Sequence, residues 1–246
     1  MKRKSGYFFI ILAILFIVLF CILVLQKDIK INPIFVKNYN FSGVDVSHYQ
    51  GTIHWDTLEK QDVDFAYIKA TEGSSYLDEC FYKNWQAAEK TNLYIGAYHF
   101  FSFDSEGKAQ ADFYISSVGD LNGKLAPVID VEYYGNKRSN PPEKSEVTRN
   151  LGDLLAALEE QYQVKPIIYT TYTGYSDFIK GEFEDYPLWI RSVYYPPYLF
   201  IGNNWVFWQY MDTDVLDGYE GAEKYIDRDV FRGTQDELER LIVHLQ

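Results

Sequence analysis

The sequence predicts an α/β fold in which a parallel sheet closes into a barrel, preceded by one N-terminal transmembrane helix. Three observations lead there. From Phe41 onward, short apolar runs alternate with amphipathic stretches, the pattern of a parallel sheet with crossover helices. No Gly-x-Gly-x-x-Gly or phosphate-cradling loop follows any run, which disfavours an open nucleotide-binding sheet. A separate apolar stretch stands near the N-terminus.

That stretch covers residues 7–25 and carries no charged or strongly polar side chain. As a helix it would span about 28 Å, close to the ~30 Å hydrocarbon core of a bilayer. Export signals that are cleaved have shorter apolar segments and small residues at the cut. Here Leu23-Val24-Leu25-Gln26-Lys27 follows, and Leu19-Phe20 precedes Cys21. An uncleaved anchor is expected. Lys2, Arg3 and Lys4 outweigh Lys27 and Lys30, which Asp28 partly offsets, so the N-terminus should be cytoplasmic. The expected organisation is a stub and anchor over 1–26, a linker over 27–40, and one α/β domain over 41–246. That domain would lie in the periplasm or outside the cell.

Within it, candidate strands are 42–46, 65–70, 94–100, 126–131, 165–170, 188–190 and 206–210. They are rich in Val, Ile, Tyr and Phe, and several are apolar throughout, which suits burial on both faces. Helices are expected over 78–91, with Phe81, Trp85 and Ala88 on one side. Residues 105–118 would bury Ala109, Phe113 and Ser116. After Pro141-Pro142, Val147, Leu151, Leu154, Leu155 and Leu158 form one stripe. A last helix is expected over 235–245.

Residues 41–246 hold 34 of the 35 acidic residues and 17 of the 23 basic ones. Such an acidic domain disfavours nucleic acid and anionic membrane surfaces as partners and leaves neutral polymers open. Aromatic residues make up 18% of the chain, which fits either a ring-lined groove or a large core with tyrosines at its edge. Cys21 and Cys80 are the only cysteines. With one of them in the anchor, no disulfide within the domain is possible, and Cys80 is expected as a small buried hydrophobe. No His or Cys cluster has zinc spacing, so neither metal nor other cofactor is expected.

The sharpest chemical signal is Pro127-Val128-Ile129-Asp130-Val131-Glu132. At spacing two on a strand, Asp130 and Glu132 point to the same side, with Cα atoms about 6.6–7 Å apart. Two neighbouring carboxylates cannot both ionise cheaply, so one is available as a general acid. A solvated loop start or a metal-ligand pair would give the same pattern. Asp45 in Gly43-Val44-Asp45-Val46-Ser47 and Asp227 in Tyr225-Ile226-Asp227-Arg228-Asp229 also lie at or beside predicted strands. In barrels, function gathers at the C-terminal strand ends.

These segments, in order, resemble glycoside hydrolase family 25, the lysozyme family. The resemblance begins at Gly43-Val44-Asp45-Val46-Ser47-His48-Tyr49-Gln50-Gly51. It continues through Ile68-Lys69-Ala70-Thr71-Glu72-Gly73, Gly96-Ala97-Tyr98-His99-Phe100 and the Asp130–Glu132 strand. Ile168-Tyr169-Thr170, Leu188-Trp189-Ile190, Trp208-Gln209-Tyr210 and Ile226-Asp227-Arg228-Asp229-Val230-Phe231 complete it. It implies an irregular, flattened TIM-like (β/α) barrel and hydrolysis of the β-1,4 bond between N-acetylmuramic acid and N-acetylglucosamine in peptidoglycan. It implies Glu132 as the acid, Asp130 assisting, and Asp45 and Asp227 in the same site. Substrate assistance and a protein nucleophile both remain open. Tyr98, Tyr169, Trp189, Trp208, Gln209 and Tyr210 are expected to bind substrate. His99 fits a structural role better than a catalytic one.

Three departures stand out: the segment from Arg191 to Tyr198, the loop from Tyr133 to Pro142, and Asp229 where Asn is commoner. Two rival readings are a family-18-type chitinase and an inactive wall-binding module. The first wants further spaced aspartates where Ala126-Pro127-Val128-Ile129 stands.

Overall fold

The computed structural model describes residues 2–25 and 30–245, with backbone only at positions 2–6, 8, 21, 24 and 25. Its strands are β1 (Phe41–Val46), β2 (Phe65–Glu72), β3 (Tyr76–Leu77), β4 (Tyr94–Phe100), β5 (Val128–Val131), β6 (Ile167–Thr171), β7 (Leu188–Arg191), β8 (Phe207–Asp214) and β9 (Ile226–Phe231). Strands β1, β2, β4, β5, β6, β7 and β8 follow one another in parallel pairs. Strand β9 pairs antiparallel with both β8 and β1 and closes the wall. The result is an eight-stranded mixed barrel, with β3 added as a hairpin on β2.

An all-parallel sheet was expected, and β9 departs from it. The reason is the connection. Parallel neighbours need a crossover of a dozen or more residues, usually a helix. Helices Phe81–Ala88, Gly107–Val118 and Lys144–Tyr162 serve that purpose before β4, β5 and β6. Residues 215–225, between β8 and β9, contain no helix, so the chain turns straight back.

Period-two alternation gives the barrel two cores. Phe65 and Tyr67 point inward from β2, while Ala66, Ile68 and Ala70 point outward. Phe65, Tyr67, Val128, Ile167, Trp189, Phe207 and Phe231 fill the interior. Phe65 meets Phe207 at 5.1 Å between ring centroids, Tyr67 meets Trp189 at 5.0 Å, and Phe207 meets Phe231 at 5.0 Å. The outer core lies between wall and helices. In Lys144–Tyr162 the predicted stripe of Val147, Leu151, Leu154, Leu155 and Leu158 is buried.

Other helix expectations need correction. Gly107–Val118 buries Gln110, Ala111 and Tyr114, while Ala109 and Ser116 are exposed and Phe113 is half-buried. Polar anchors turn the helix: Gln110 faces His99, and the Tyr114 hydroxyl donates to the Ala97 carbonyl at 3.0 Å. The last helix spans only Gln235–Glu239, because the chain beyond it pairs with residues 123–126. The N–H of Ala126 donates to the Leu241 carbonyl at 2.7 Å, and the N–H of Val243 donates to Lys124 at 2.8 Å. Cys80 is half-buried beside the start of Phe81–Ala88, not enclosed.

The N-terminal segment is helical over Lys2–Leu25. The expected membrane-spanning helix is not shown: no helix of the described residues is long and apolar enough to cross a membrane. The side chains at 8, 21, 24 and 25 lie outside the described residues. Lys27 and Asp28, used in the charge comparison, also lie outside the described residues. The described part of the expected linker is docked on the barrel. Asn32 is fully buried, and its Nδ2 donates to the carbonyls of Ser192 (2.6 Å) and Tyr210 (2.9 Å). Tyr39 packs on Trp205 and Trp208.

Gly43 marks how tightly the interior is filled. A Cβ there would lie 2.3 Å from the Phe65 ring, and Phe65 is itself fully buried. Gly43→Ala is expected to destabilise the barrel by about 1–3 kcal/mol, read as a lower urea midpoint at unchanged slope. An unchanged midpoint would mean that the packed interior can yield.

Candidate active site

The aromatic floor blocks the barrel axis partway, and the side chains above it open to solvent as a cleft of about 460 Å³. Each wall strand contributes through the same alternation. Asp45 follows Gly43 inward on β1, Lys69 follows Tyr67 on β2, and Tyr98 and Phe100 come from β4. Asp130 and Glu132 follow Val128 on β5, Tyr169 follows Ile167 on β6, and Arg191 follows Trp189 on β7. Asp227 comes from the start of β9. Because β9 runs backwards, its beginning lies at the same mouth as the other strands' ends, with Asp227 directly opposite Asp45.

All four expected acids therefore line one cleft. Burial pushes the Asp45, Asp130, Glu132 and Asp227 carboxyls above the usual range. Neighbouring acids add to this: Glu132 and Asp45 act on Asp130, and Asp45 and Asp212 act on Asp227. Arg191 opposes the rise at each of the four. Crowded carboxyls of this kind titrate as a set, and their proton affinities rise. Asp130 lies deeper, 8% exposed, and its Oδ1 is buried without a hydrogen-bond partner among the described residues. Glu132 is half-buried, one inward position nearer the mouth.

Beneath the acids runs a hydrogen-bonded layer. The Tyr169 hydroxyl donates to Gln209 Oε1 at 3.0 Å, and Gln209 Nε2 donates to Asp45 Oδ2 at 2.7 Å. Trp189 Nε1 donates to Asp229 Oδ1 at 3.0 Å. Tyr98, Tyr169 and Trp189 line the cleft, as a substrate-binding set would. Trp208, Gln209 and Tyr210 do not, which corrects the expectation for these three: Gln209 lies buried beneath the cleft, and the two rings face away from it. Gln209 points inward, so its neighbours must point outward. Trp208 is fully enclosed in the outer core, with its Nε1 donating to the Ser192 carbonyl at 2.9 Å, and Tyr210 packs beside it. His99 also faces outward. It is fully buried between Thr71 (2.7 Å) and Gln110 (3.1 Å), and burial holds its imidazole down to about 4, hence neutral.

Several cleft residues were not singled out in the sequence. Lys69 and Arg191 supply positive charge among the acids. Lys69 Nζ bonds Glu72 at 2.7 Å and lies 5.0 Å from the Phe100 ring centroid. Arg191 pairs with Asp212 at 2.7 Å, and Lys30 of the docked linker also holds Asp212. Tyr49 and Tyr225 are exposed rings at the rim. Their position next to the Asp45 and Asp227 segments was the available signal. The Tyr133–Pro142 loop braces one wall: Tyr134 stacks on Phe103 at 5.5 Å, and the Tyr133 hydroxyl donates to Asp177 at 2.9 Å. Among the described residues, no group of three or more His, Cys, Asp or Glu side chains is arranged to hold a metal ion.

Residues 44–219 match the model of glycosyl hydrolases family 25. Lysozyme M1 of Streptomyces globisporus is 32% identical over 210-odd positions, covering 80% of this chain and 69% of that protein. The solved structure of a family 25 glycosyl hydrolase from Bacillus anthracis superposes with a TM-score of 0.79 at 47% identity, covering 84% of this chain and 95% of that one. A bacterial lysozyme from Streptomyces coelicolor gives 0.73 at 29% identity, covering 84% and 98%. With the family match spanning most of the barrel and the acids gathered at its mouth, the chain belongs to glycoside hydrolase family 25.

Proposed function

We propose that this protein is a membrane-anchored N-acetylmuramidase. It hydrolyses the β-1,4 bond between N-acetylmuramic acid and N-acetylglucosamine in peptidoglycan, with Glu132 as general acid and Asp130 assisting. The observation that carries this reading is the convergence of Asp45, Asp130, Glu132 and Asp227 on one cleft. Likeness to the Streptomyces lysozymes supports it.

Position argues for the division of labour. A proton donor must reach the glycosidic oxygen, and Glu132 has the longer side chain and stands nearer the mouth. Burial raises its pKa, the direction a general acid requires. Asp130 offers a buried acceptor with no hydrogen-bond partner among the described residues, which suits the N–H of a substrate acetamido group. That contact would turn the acetamido carbonyl oxygen toward the anomeric carbon. The carbonyl would attack as Glu132 protonates the leaving oxygen, and water would then open the cyclic intermediate. Asp45 and Asp227 line the same cleft and tune charge and hydrogen bonding around the pair. The rim rings Tyr49 and Tyr225 suit packing against sugar faces.

The anchor is supported by a run of large apolar side chains exposed between Tyr7 and Ile22, which the barrel does not cover. With a basic start to the chain, this reading places the N-terminus in the cytoplasm and the catalytic domain outside the cell membrane.

Glu132→Gln is expected to lower turnover on purified peptidoglycan by about 10²–10⁴-fold or more, with an unchanged circular dichroism spectrum. Wild-type turnover in the folded variant would remove Glu132 from the acid role. Mass analysis of the wild-type digest should show muramic acid at the new reducing ends. N-acetylglucosamine there, or preference for chitin, would favour the chitinase reading, and wall binding without any new ends would favour the inactive module.

Arg191 lowers the proton affinity of all four acids, so its loss raises theirs. In Arg191→Gln, both limbs of the pH–rate profile should move upward, by on the order of one pH unit. A stationary profile would deny Arg191 this electrostatic part.

Fractionation of the full-length chain should leave it with membranes after a high-salt wash, with the barrel open to protease from outside the cell. Release by salt alone would defeat the anchor.

A further inference from the structure

Asp229 lies beneath the cleft and has no place in the chemistry above. It is two residues along β9 from Asp227, so both carboxyls enter the barrel interior. It is fully buried and sits opposite Gly43 of β1 and Gln209 of β8. Its Oδ1 accepts the Trp189 indole N–H at 3.0 Å. Its Oδ2 is also buried and receives a hydrogen from no donor among the described residues. Yet this carboxyl lies on the same inward face as Asp45, two residues from Asp45's cross-strand partner and opposite the Gln209 that binds Asp45, and the charge of Asp45 raises its cost of ionisation.

Asp45 is itself committed as an acceptor. Its Oδ2 takes the Gln209 amide N–H at 2.7 Å. Turning the Gln209 oxygen that way would leave the buried Tyr169 hydroxyl hydrogen, which Oε1 now accepts, without that acceptor. Two carboxylates in contact repel, and a hydrogen between them converts the repulsion into a charge-assisted hydrogen bond.

The surroundings decide which one carries it. Asp45 is half-buried at the cleft, holds an amide donor and feels Arg191 from the end of β7. Asp229 has only a neutral indole donor, with Asp45 and Asp227 as its charged neighbours. Gln209 and Trp189, which face it from β8 and β7, are neutral, and the Tyr210 hydroxyl nearby feels the charge of Asp229. Arg228 gives no help, because it faces the opposite side of β9 and binds Ser42 and the Asp62 carbonyl. Negative charge is better placed on Asp45.

We propose that Asp229 is a positioning residue: a neutral carboxylic acid that donates its hydrogen to Asp45 and holds that carboxylate as an oriented anion facing the cleft. Asp45 then accepts from two fixed donors, the Gln209 amide and the Asp229 acid, and the layer from Tyr169 to Trp189 is satisfied. The value of this arrangement to catalysis rests on the muramidase reading; the position of the hydrogen does not.

The test compares the full chain with D229N, whose side-chain amide can still accept from Trp189 and donate to Asp45 without a titrating hydrogen. A neutral Asp229 has its proton affinity raised by folding, so its contribution to stability is present at low pH and lost as pH rises. The unfolding constant of the wild type relative to D229N should therefore grow by up to tenfold per pH unit above about 3.9, the unfolded aspartate value. The wild-type infrared spectrum near neutral pH should show the carbonyl band of a neutral carboxylic acid that D229N lacks. In D229L, which offers no donor, the Asp45 carboxyl carbon should titrate at higher pH than in D229N. A pH-independent stability ratio, absence of the infrared band, or equal Asp45 titrations would each overturn the proposal. Stability and infrared readings require no substrate, so inactivity on peptidoglycan would defeat the muramidase reading without touching this one.

Discussion

The pairing of β9 with both β8 and β1 is the contact on which the rest of the structure depends. It closes the wall, and because β9 runs against its neighbours it returns its first residues to the mouth that the other strands reach at their ends. Asp227 arrives opposite Asp45 by that reversal alone. A parallel β9 would have carried Asp227 to the far end of the barrel, away from Asp130 and Glu132.

Closure imposes a second constraint. Every inward side chain of a small barrel competes for the same axis. Here the lower layers are aromatic, with Phe65, Tyr67, Trp189, Phe207 and Phe231 in mutual contact. The upper layer is polar and opens to solvent. Between them lies the hydrogen-bonded layer of Tyr169, Gln209 and Asp229. This ordering explains why carboxyls can be crowded together: rigid packing beneath stops them from moving apart, and their proton affinities rise instead. Arg191 and Lys69 limit that rise from within the cleft.

The docked N-terminal segment ties the site to the chain that precedes it. Asn32 bonds the carbonyls of Ser192 and Tyr210, and Lys30 holds Asp212, the partner of Arg191. What reads as a linker by composition is thus part of the wall beside the cleft. Mixed polarity hides this, because the docking rests on scattered contacts of Lys30, Asn32 and Tyr39 that form no periodic pattern.

The sequence by itself determined the parts that depend on local period and local chemistry. Seven strands, the stripe of the Lys144–Tyr162 helix, and the inward pairing of Asp130 with Glu132 follow from spacing along the chain, and the ordered motifs identify the family. Tertiary structure decided what depends on direction and on facing neighbours. The reversal of β9 was not legible, because a strand's direction is set by its connection and not by its own residues. Trp208 and Tyr210 look like sugar-binding rings in sequence, and only the inward aim of Gln209 sends them into the outer core. Arg191, Lys69 and Asp229 come from three separate strands, and their effect on the acids exists only where the closed wall brings them within reach, since electrostatic coupling falls with distance in space and takes no account of separation along the chain.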